Sequence, residues 1–572
     1  MNSLGLLTAM VLAMASAGNA AAQKTAPSPG ALQKADAAFR AGYAAMQAGR
    51  LEEARKDFAN TVALAPRLPE AHSALGAILV QLSRPREAVP ELEKALQLKP
   101  GDATAAVNLA LAHEAIGKKL VAQGNAADAE RQIHAAIAAL AMIKSDAQGQ
   151  GSIAAQDAEL HDELGSLLAQ QKRWDQAETA FREALKRAPQ DEAASAHMHL
   201  GVVLVEEKQY SDGLKELSKA AEIAPGSGMA QFQLGHGLTV AGQDEEALPH
   251  LEEALKLAPA LPGAALELAM TQQRLGRQAE SISNFEKALA QEPHNAQALT
   301  NLGLALTETG KAQEAMPYLE RALAETPNDP VVHEDLGVAQ LQQSHFDEAI
   351  AQFQKAGELD SANPQLHYDL GLAYKLKDRI DDAVRELSQA ASLDPTLPDA
   401  PYTLGILYMQ LGRQEDAAKQ LRAALALRPA NGDGWAILGS VLKQMDKRDE
   451  AEDALKKAIA LLPNQPGPHI TLAAILAEEG KHDEAAAERK LAAGLSRNAV
   501  NRQRAMLNTN AGNQLLQRGQ IADAVEQYIE AIAADPGYAE AHAQLAVAYA
   551  RQGRAEDAAA ERQKADSITK AN

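Results

Sequence analysis

The chain has 572 residues, a length that ordinarily means several globular domains, yet only 3% of it is aromatic and it contains no cysteine. The missing cysteine excludes disulfides, thiolate-bound metals and thiol catalysis. With 55 Lys and Arg against 76 Asp and Glu, the formal net charge is −21, which repels phosphate backbones and anionic lipid and argues against a nucleic-acid partner.

The first element is an uncharged apolar run from Leu4 to Ala17, followed by small residues and the A-x-A site Ala20-Ala21-Ala22. This is the pattern of a secretory signal, with cleavage expected before Gln23, although no Lys or Arg precedes the run. The run is shorter than the ~20 residues of a membrane span, and no second long apolar run follows. Residues 1–22 are therefore read as a signal peptide and 23–34 as a linker. The mature protein is expected to be periplasmic or secreted and not membrane-spanning, with a cytoplasmic location as the alternative. The chain has no N-x-S/T sequon, consistent with a bacterial source.

Beyond residue 35 the chain is rich in Ala, Leu, Glu, Gln, Lys and Arg, all strong helix formers. A small residue recurs every 34 residues at Gly235, Ala269, Gly303, Gly337, Gly371, Gly405, Gly439 and Ala473. Gly42, Gly76 and Ala110 form an earlier run, Gly165 and Gly201 stand 36 apart, and Gly512 and Ala546 form a later run. With this residue as position 8, alanine recurs at position 20 (Ala54, Ala247, Ala349, Ala417) and Phe, Leu or Tyr at position 24. Proline recurs at position 32, as in Pro66, Pro259, Pro327 and Pro463. The pattern resembles the tetratricopeptide repeat (TPR), with W-x2-L-G-x2-Y, A-x3-F and P at these places. The resemblance covers nearly all of residues 35–568 as about 15 repeats and implies an all-α solenoid, a superhelix of helix-turn-helix units. A lone hairpin cannot bury its apolar stripe, whereas stacked neighbours bury a continuous one.

Two places break the period. Ala110 and Gly165 stand 55 residues apart, with a long first helix towards Leu120 and a flexible loop expected near 145–157. Ala473 and Gly512 stand 39 residues apart, and there the basic segment Gly494–Arg504 is expected to replace the usual turn. The expected blocks are 35–157, 158–496 and 497–572, the last ending in a polar capping helix near Ala555–Lys570. Each break is either a tolerated surface insertion or a hinge.

The chain carries no catalytic or cofactor-binding pattern. His72, His161, His197, His333, His367, His469 and His542 all occupy position 4, where the family has tryptophan, and read as packing residues, one per repeat. No H-E-x-x-H, P-loop or G-x-S-x-G motif occurs. Nearly every residue is assigned to a repeat, so no catalytic residue, metal or cofactor is expected, and the protein is read as a non-enzyme.

What remains is a surface. The resemblance places positions 2, 5, 6, 9, 12 and 13 of the first helices on a concave groove that in this family binds peptides or helices. Its candidate binding residues are Asn301, Glu334, Asp335, Gln365, Tyr368, Asp369, Lys375, Asp399 and Tyr402. Cations are few there (Arg274, Lys375 and Lys443), so the clamp with which chaperone-binding members hold a terminal carboxylate is not visible. Carboxylates beside Tyr368 and Tyr402 suit a basic or polar peptide, or a sugar ring; the alternative is that both tyrosines only cover the helix seam. The expected function is a protein-interaction scaffold of the bacterial envelope, or a secreted one. A carbohydrate-binding scaffold for exopolysaccharide export is the second reading, and an accessory part of an enzyme the third.

Overall fold

The protein is described by a computed structural model covering residues 29–143 and 150–571. The expected signal segment lies outside these residues. Every regular element among them is an α-helix, and successive helices pair as antiparallel hairpins. The chain divides into two compact units, Met1–Thr309 and Gly310–Asn572, each described by itself below. No helix among the described residues is long and apolar enough to cross a membrane.

The hairpin follows from the repeated residues. Many first helices start on a proline, as at Pro69 and Pro364, or on a side-chain cap: Asn295 accepts from the Ala298 amide and Asp102 from Thr104 and Ala105. They end at position 15, where the backbone turns left-handed. Gly242 and Gly412 do so without strain, but Lys208 and Asp446 adopt the same positive φ, so the turn is imposed by the helices on either side of it.

Position 8 faces position 24 of the same hairpin. A Cβ built on Gly405 would lie 2.6 Å from Leu421 Cγ, and one on Gly165 would lie 2.5 Å from the Phe181 ring. Position 20 is equally closed: Ala54, Ala247, Ala349 and Ala417 have no exposed surface. Leucines and phenylalanines fill the seam between hairpins, so that the core runs through Phe58, Leu92, Ile133 and Phe181 in the first unit and Phe353, Leu387, Leu421 and Leu455 in the second. Gly405→Ala is expected to destabilise the second unit by about 1–2 kcal/mol in urea denaturation. Overpacking costs ~1–3 kcal/mol and outweighs the ~1 kcal/mol gained in helix propensity. A stabilised variant would mean that the two helices have room to part.

The position-4 histidines do more than pack. His72 Nδ1 meets Glu91 at 2.6 Å, and its Nε2 donates to the Pro66 carbonyl at 3.0 Å. His333 does the same with Gln352 (2.7 Å) and Pro327 (3.2 Å), and His542 with Glu561 (2.6 Å) and Pro536 (3.1 Å). Each ring thus ties its own second helix to the turn that closes the preceding repeat. Trp435, in the same slot, donates its indole N–H to the Pro429 carbonyl at 2.9 Å. The shared requirement is a flat ring with an N–H at its far end. His333→Phe should therefore cost about 1–2 kcal/mol, the range for stranding a shielded carbonyl. His333→Trp, which keeps the donor, should cost less; equal losses in thermal unfolding would reduce the ring to a space-filler.

Both breaks differ from expectation. The helix Pro29–Gln47 begins inside the expected 23–34 linker. Of the expected loop near 145–157, residues 144–149 lie outside the described residues, and from Gln150 on the chain is already helical. Ile153 packs against the apolar core and Ala158 is buried, which holds those turns helical and puts the 157/158 boundary inside the helix Gln150–Gln170. Likewise no turn occurs at Gly494–Arg504. One helix of 36 residues, His482–Gln517, serves as second helix of one repeat and first helix of the next, so the 496/497 boundary is intrahelical. Position 32 here is Arg497 and not proline, and nothing in the segment forces the helix to stop. Its buried residues end at Ala492 and resume at Ala505, leaving an exposed bridge between two packed ends. Arg502 on that bridge pairs with Asp535 at 2.8 Å, donates to the Gly537 carbonyl and covers the Tyr538 ring, fixing the helix to the next turn. The polar helix Ala555–Ala571 ends the second unit and buries Ala558 and Ala565.

Candidate functional site

In the second unit the expected groove residues lie on three successive first helices, Pro330–Gln342, Pro364–Leu376 and Asp399–Gln410. The first two are joined by polar side chains. Asn363 caps its own helix through the Gln365 amide and donates its Nδ2 to Glu334 at 2.8 Å. Gln365 Nε2 donates to both oxygens of Asp369 at 3.2 Å. Burial pushes the Asp369 carboxyl up to about 7; the Gln365 hydrogen bond opposes this only in part, and Glu334 adds repulsion. Burial also raises Glu334, with Asp360 contributing. These two carboxylates meet amide donors and no cation among the described residues. Asp335 is half-buried on the same helix as Glu334, and Lys375 is half-buried at the far end of the next.

The other expected residues are differently engaged. Asp399 accepts from both terminal nitrogens of Arg428, at 3.0 and 3.2 Å. Tyr368 and Tyr402 are half-buried against the apolar core, and burial raises both hydroxyls. Tyr374 and Tyr408, in the packing slot, lie under Arg379 and Arg413, whose guanidinium carbons sit 4.3 and 4.4 Å from the ring centres. Asn301 belongs to the first unit, where its amide is spent on the Gln297 carbonyl at 2.8 Å. Two of the three expected groove cations are likewise occupied: Arg274 pairs with Asp244 at 2.8 Å and Lys443 with Glu478 at 3.4 Å.

The first unit holds a feature absent from the sequence reading. A cavity of about 1040 Å³ opens between the helices Ala103–Ala122, Gln150–Gln170 and Ala194–Glu206. Val107, Leu111, Ile153 and Leu167 line its apolar part, and Glu114, Glu159, Asp162, Glu163 and Glu192 its polar part. Lys118 spans Glu114 and Glu163 at 2.5 and 2.7 Å.

Models of the tetratricopeptide repeat match residues 73–120, 163–228, 266–330, 376–441 and 432–465, and a TPR repeat model matches 341–378 and 512–553. The chain belongs to the tetratricopeptide repeat family. A search of curated proteins found no match. Among solved structures, the chain is similar to YrrB, described as a TPR protein with an unusual peptide-binding site. The two are 23% identical over 34% of this chain and 97% of YrrB, with a TM-score of 0.30. PilW, described as a widely conserved type IV pilus biogenesis factor, is 22% identical over 38% of this chain and 98% of its own, with a TM-score of 0.34. The Cut9–Hcn1 hetero-tetramer of APC/C is 16% identical over 90% of this chain and 96% of its own, with a TM-score of 0.29.

In this TPR chain, reading positions along the first helices found Glu334, Gln365 and Asp369 but missed what reaches them from elsewhere. Arg428 follows the end of a second helix, and Asn363 stands in the turn before a first helix, so neither is a groove position of the repeat. The cavity did leave a trace: the 55-residue spacing from Ala110 to Gly165, with Glu114, Glu159 and Glu163 at its two ends.

Proposed function

We propose that this protein is a non-catalytic scaffold which holds partner proteins on the exposed faces of its first helices, and that it works outside the cytoplasm of a bacterium. TPR repeats support an interaction role. The observation that carries the reading is the Glu334–Asp369 pair: two crowded, partly buried carboxylates on neighbouring first helices with amides but, among the described residues, no cation beside them. Such a pair favours a partner segment that brings positive charge or a hydrogen-bond donor. Asp399 differs from the pair in having Arg428 beside it.

The test is capture from an envelope extract with the full chain and with Glu334→Gln/Asp369→Asn, identifying retained proteins by mass spectrometry. Partners lost with the double variant support the reading. An identical set, or none at all, removes this surface from it. Export rests on the N-terminal pattern: protein from the native cell should begin near Gln23, and an intact Met1 would move the scaffold to the cytoplasm. Carbohydrate binding through Tyr368 and Tyr402 is the second reading; a glycan array in which saccharide binding disappears with Tyr368→Ala/Tyr402→Ala would establish it.

A further inference from the structure

The long spacing at the third repeat lengthens two first helices at the same place. Ala103–Ala122 has 20 residues and Gln150–Gln170 has 21, against 13 for Pro69–Gln81. The added turns line the cavity of the first unit: Lys118 and Val121 come from the end of one helix, Ile153 and Gln156 from the start of the other. The irregular spacing therefore widens the concave face at this place into a larger site than the one of about 400 Å³ beside Phe232 and Leu266.

The lining of that site has a definite chemistry. Val107, Leu111, Ile153 and Leu167 offer an apolar surface deep enough for a large side chain. Around it stand five carboxylates, of which Asp162 is already satisfied by His199 Nδ1 at 3.0 Å and Ser195 Oγ at 2.9 Å. Glu114, Glu159 and Glu163 converge until one oxygen from each lies within 4.8 Å of the others. The one lysine or arginine in the lining, Lys118, has its ammonium between Glu114 and Glu163. Burial raises the Glu163 carboxyl even so, with Glu114 and Glu159 adding to the rise, so one ammonium does not neutralise the cluster. Gln156 has a shielded Nε2 without a hydrogen-bond partner among the described residues.

We propose that this cavity docks a partner segment in which an aliphatic side chain, seated against Leu111, Ile153 and Leu167, is flanked by lysine or arginine that meets Glu114, Glu159 and Glu163. Lys118 shows within the chain itself that the cluster accepts an ammonium group. The segment's cation joins or displaces it, and a backbone carbonyl of the segment can accept from Gln156. The inference rests on the scaffold reading but adds a second site, of its own chemistry, on a different unit from Glu334 and Asp369.

The probe is a fluorescein-labelled peptide of alternating leucine and lysine, titrated against the full chain by fluorescence polarisation at physiological salt. Two further probes replace all leucines by glycine or all lysines by glutamate. The variants are Glu159→Gln, which changes an exposed side chain and leaves the fold alone, Glu159→Gln/Glu163→Gln, and Ala155→Trp, which fills the cavity. Circular dichroism checks that each is folded. The leucine–lysine probe should bind, about tenfold or more weakly with the double variant or with Ala155→Trp, and unchanged with Glu334→Gln/Asp369→Asn. Three results would overturn the proposal: equal binding of the glycine–lysine probe, which would reduce it to the general attraction of an acidic protein; equal binding of the leucine–glutamate probe; or binding lost only with Glu334→Gln/Asp369→Asn, which would leave the scaffold reading intact. Calcium binding that the double variant abolishes, without peptide binding, would make the cluster a cation site and overturn it too.

Discussion

Arg497→Pro is expected to destabilise the second unit by about 3 kcal/mol or more, although the residue is exposed and proline is the residue most other repeats carry at this position. In a regular repeat, proline at position 32 follows the end of the second helix and costs nothing. Here the residue lies in the interior of the helix His482–Gln517. A proline ring would remove the amide of residue 497 and press on the carbonyl of Ala493. Because the array is held together by nearest-neighbour interfaces, breaking this bridge should uncouple the packed segment ending at Ala492 from the one beginning at Ala505. The expected readings are a loss of ellipticity at 222 nm and a single urea transition that separates into two, with Arg497→Ala as the control. If the proline and alanine variants behave alike, the segment is a turn after all and the continuous helix is wrong.

Asp369→Asn should stabilise the second unit above neutral pH and do little at pH 4. The sign follows from the direction of the shift. Burial holds the Asp369 carboxyl at about 7 in the folded chain, against 3.8 ordinarily. The folded state therefore binds the proton more tightly than the unfolded one. That contribution is fully present below about pH 4 and is lost as pH rises through about 7. At ~1.4 kcal/mol for each tenfold change in proton affinity, the loss has a ceiling of about 4 kcal/mol, and relaxation around a cleft open to water should leave about 2 kcal/mol to be measured. Asparagine keeps an oxygen for Gln365 and removes the charge. The stability difference between variant and parent should accordingly grow between pH 4 and 7 and stay level above. A difference independent of pH would show that the carboxylate is not desolvated. The same titration bears on binding, since a cationic partner should take the ionised form and hold tighter at pH 8 than at pH 6.

Much of the architecture could be read from the chain because the repeat multiplies each weak signal. Gly371 or Ala383 alone implies nothing, but a small residue every 34 positions, opposed by a large one at position 24, requires helices in close contact. Repeat positions also put Glu334 and Asp369 on successive first helices, which is as far as the pattern reaches towards a binding surface. The polar link from Asn363 to Glu334 and the grip of Arg428 on Asp399 were not legible, because they join residues about 30 apart whose pairing depends on how adjacent hairpins stack. The hydrogen bonds of His72, His333 and His542 to proline-turn carbonyls depend on a backbone geometry that residue type does not encode.

By itself the sequence determined the repeating hairpin, the closed seam of small and large residues, the acidic surface and the absence of thiol chemistry, because each depends on local periodicity or on composition. Only the tertiary structure decided what happens where the period fails. At the second break, removing a proline let one helix span two repeats; at the first, added helical turns enclosed a cavity with charged and apolar walls. A break in a period says that the regular stacking cannot continue unchanged. The geometry that replaces it is set by which side chains can be buried together, and that is a property of neighbouring helices and not of the interrupted segment alone.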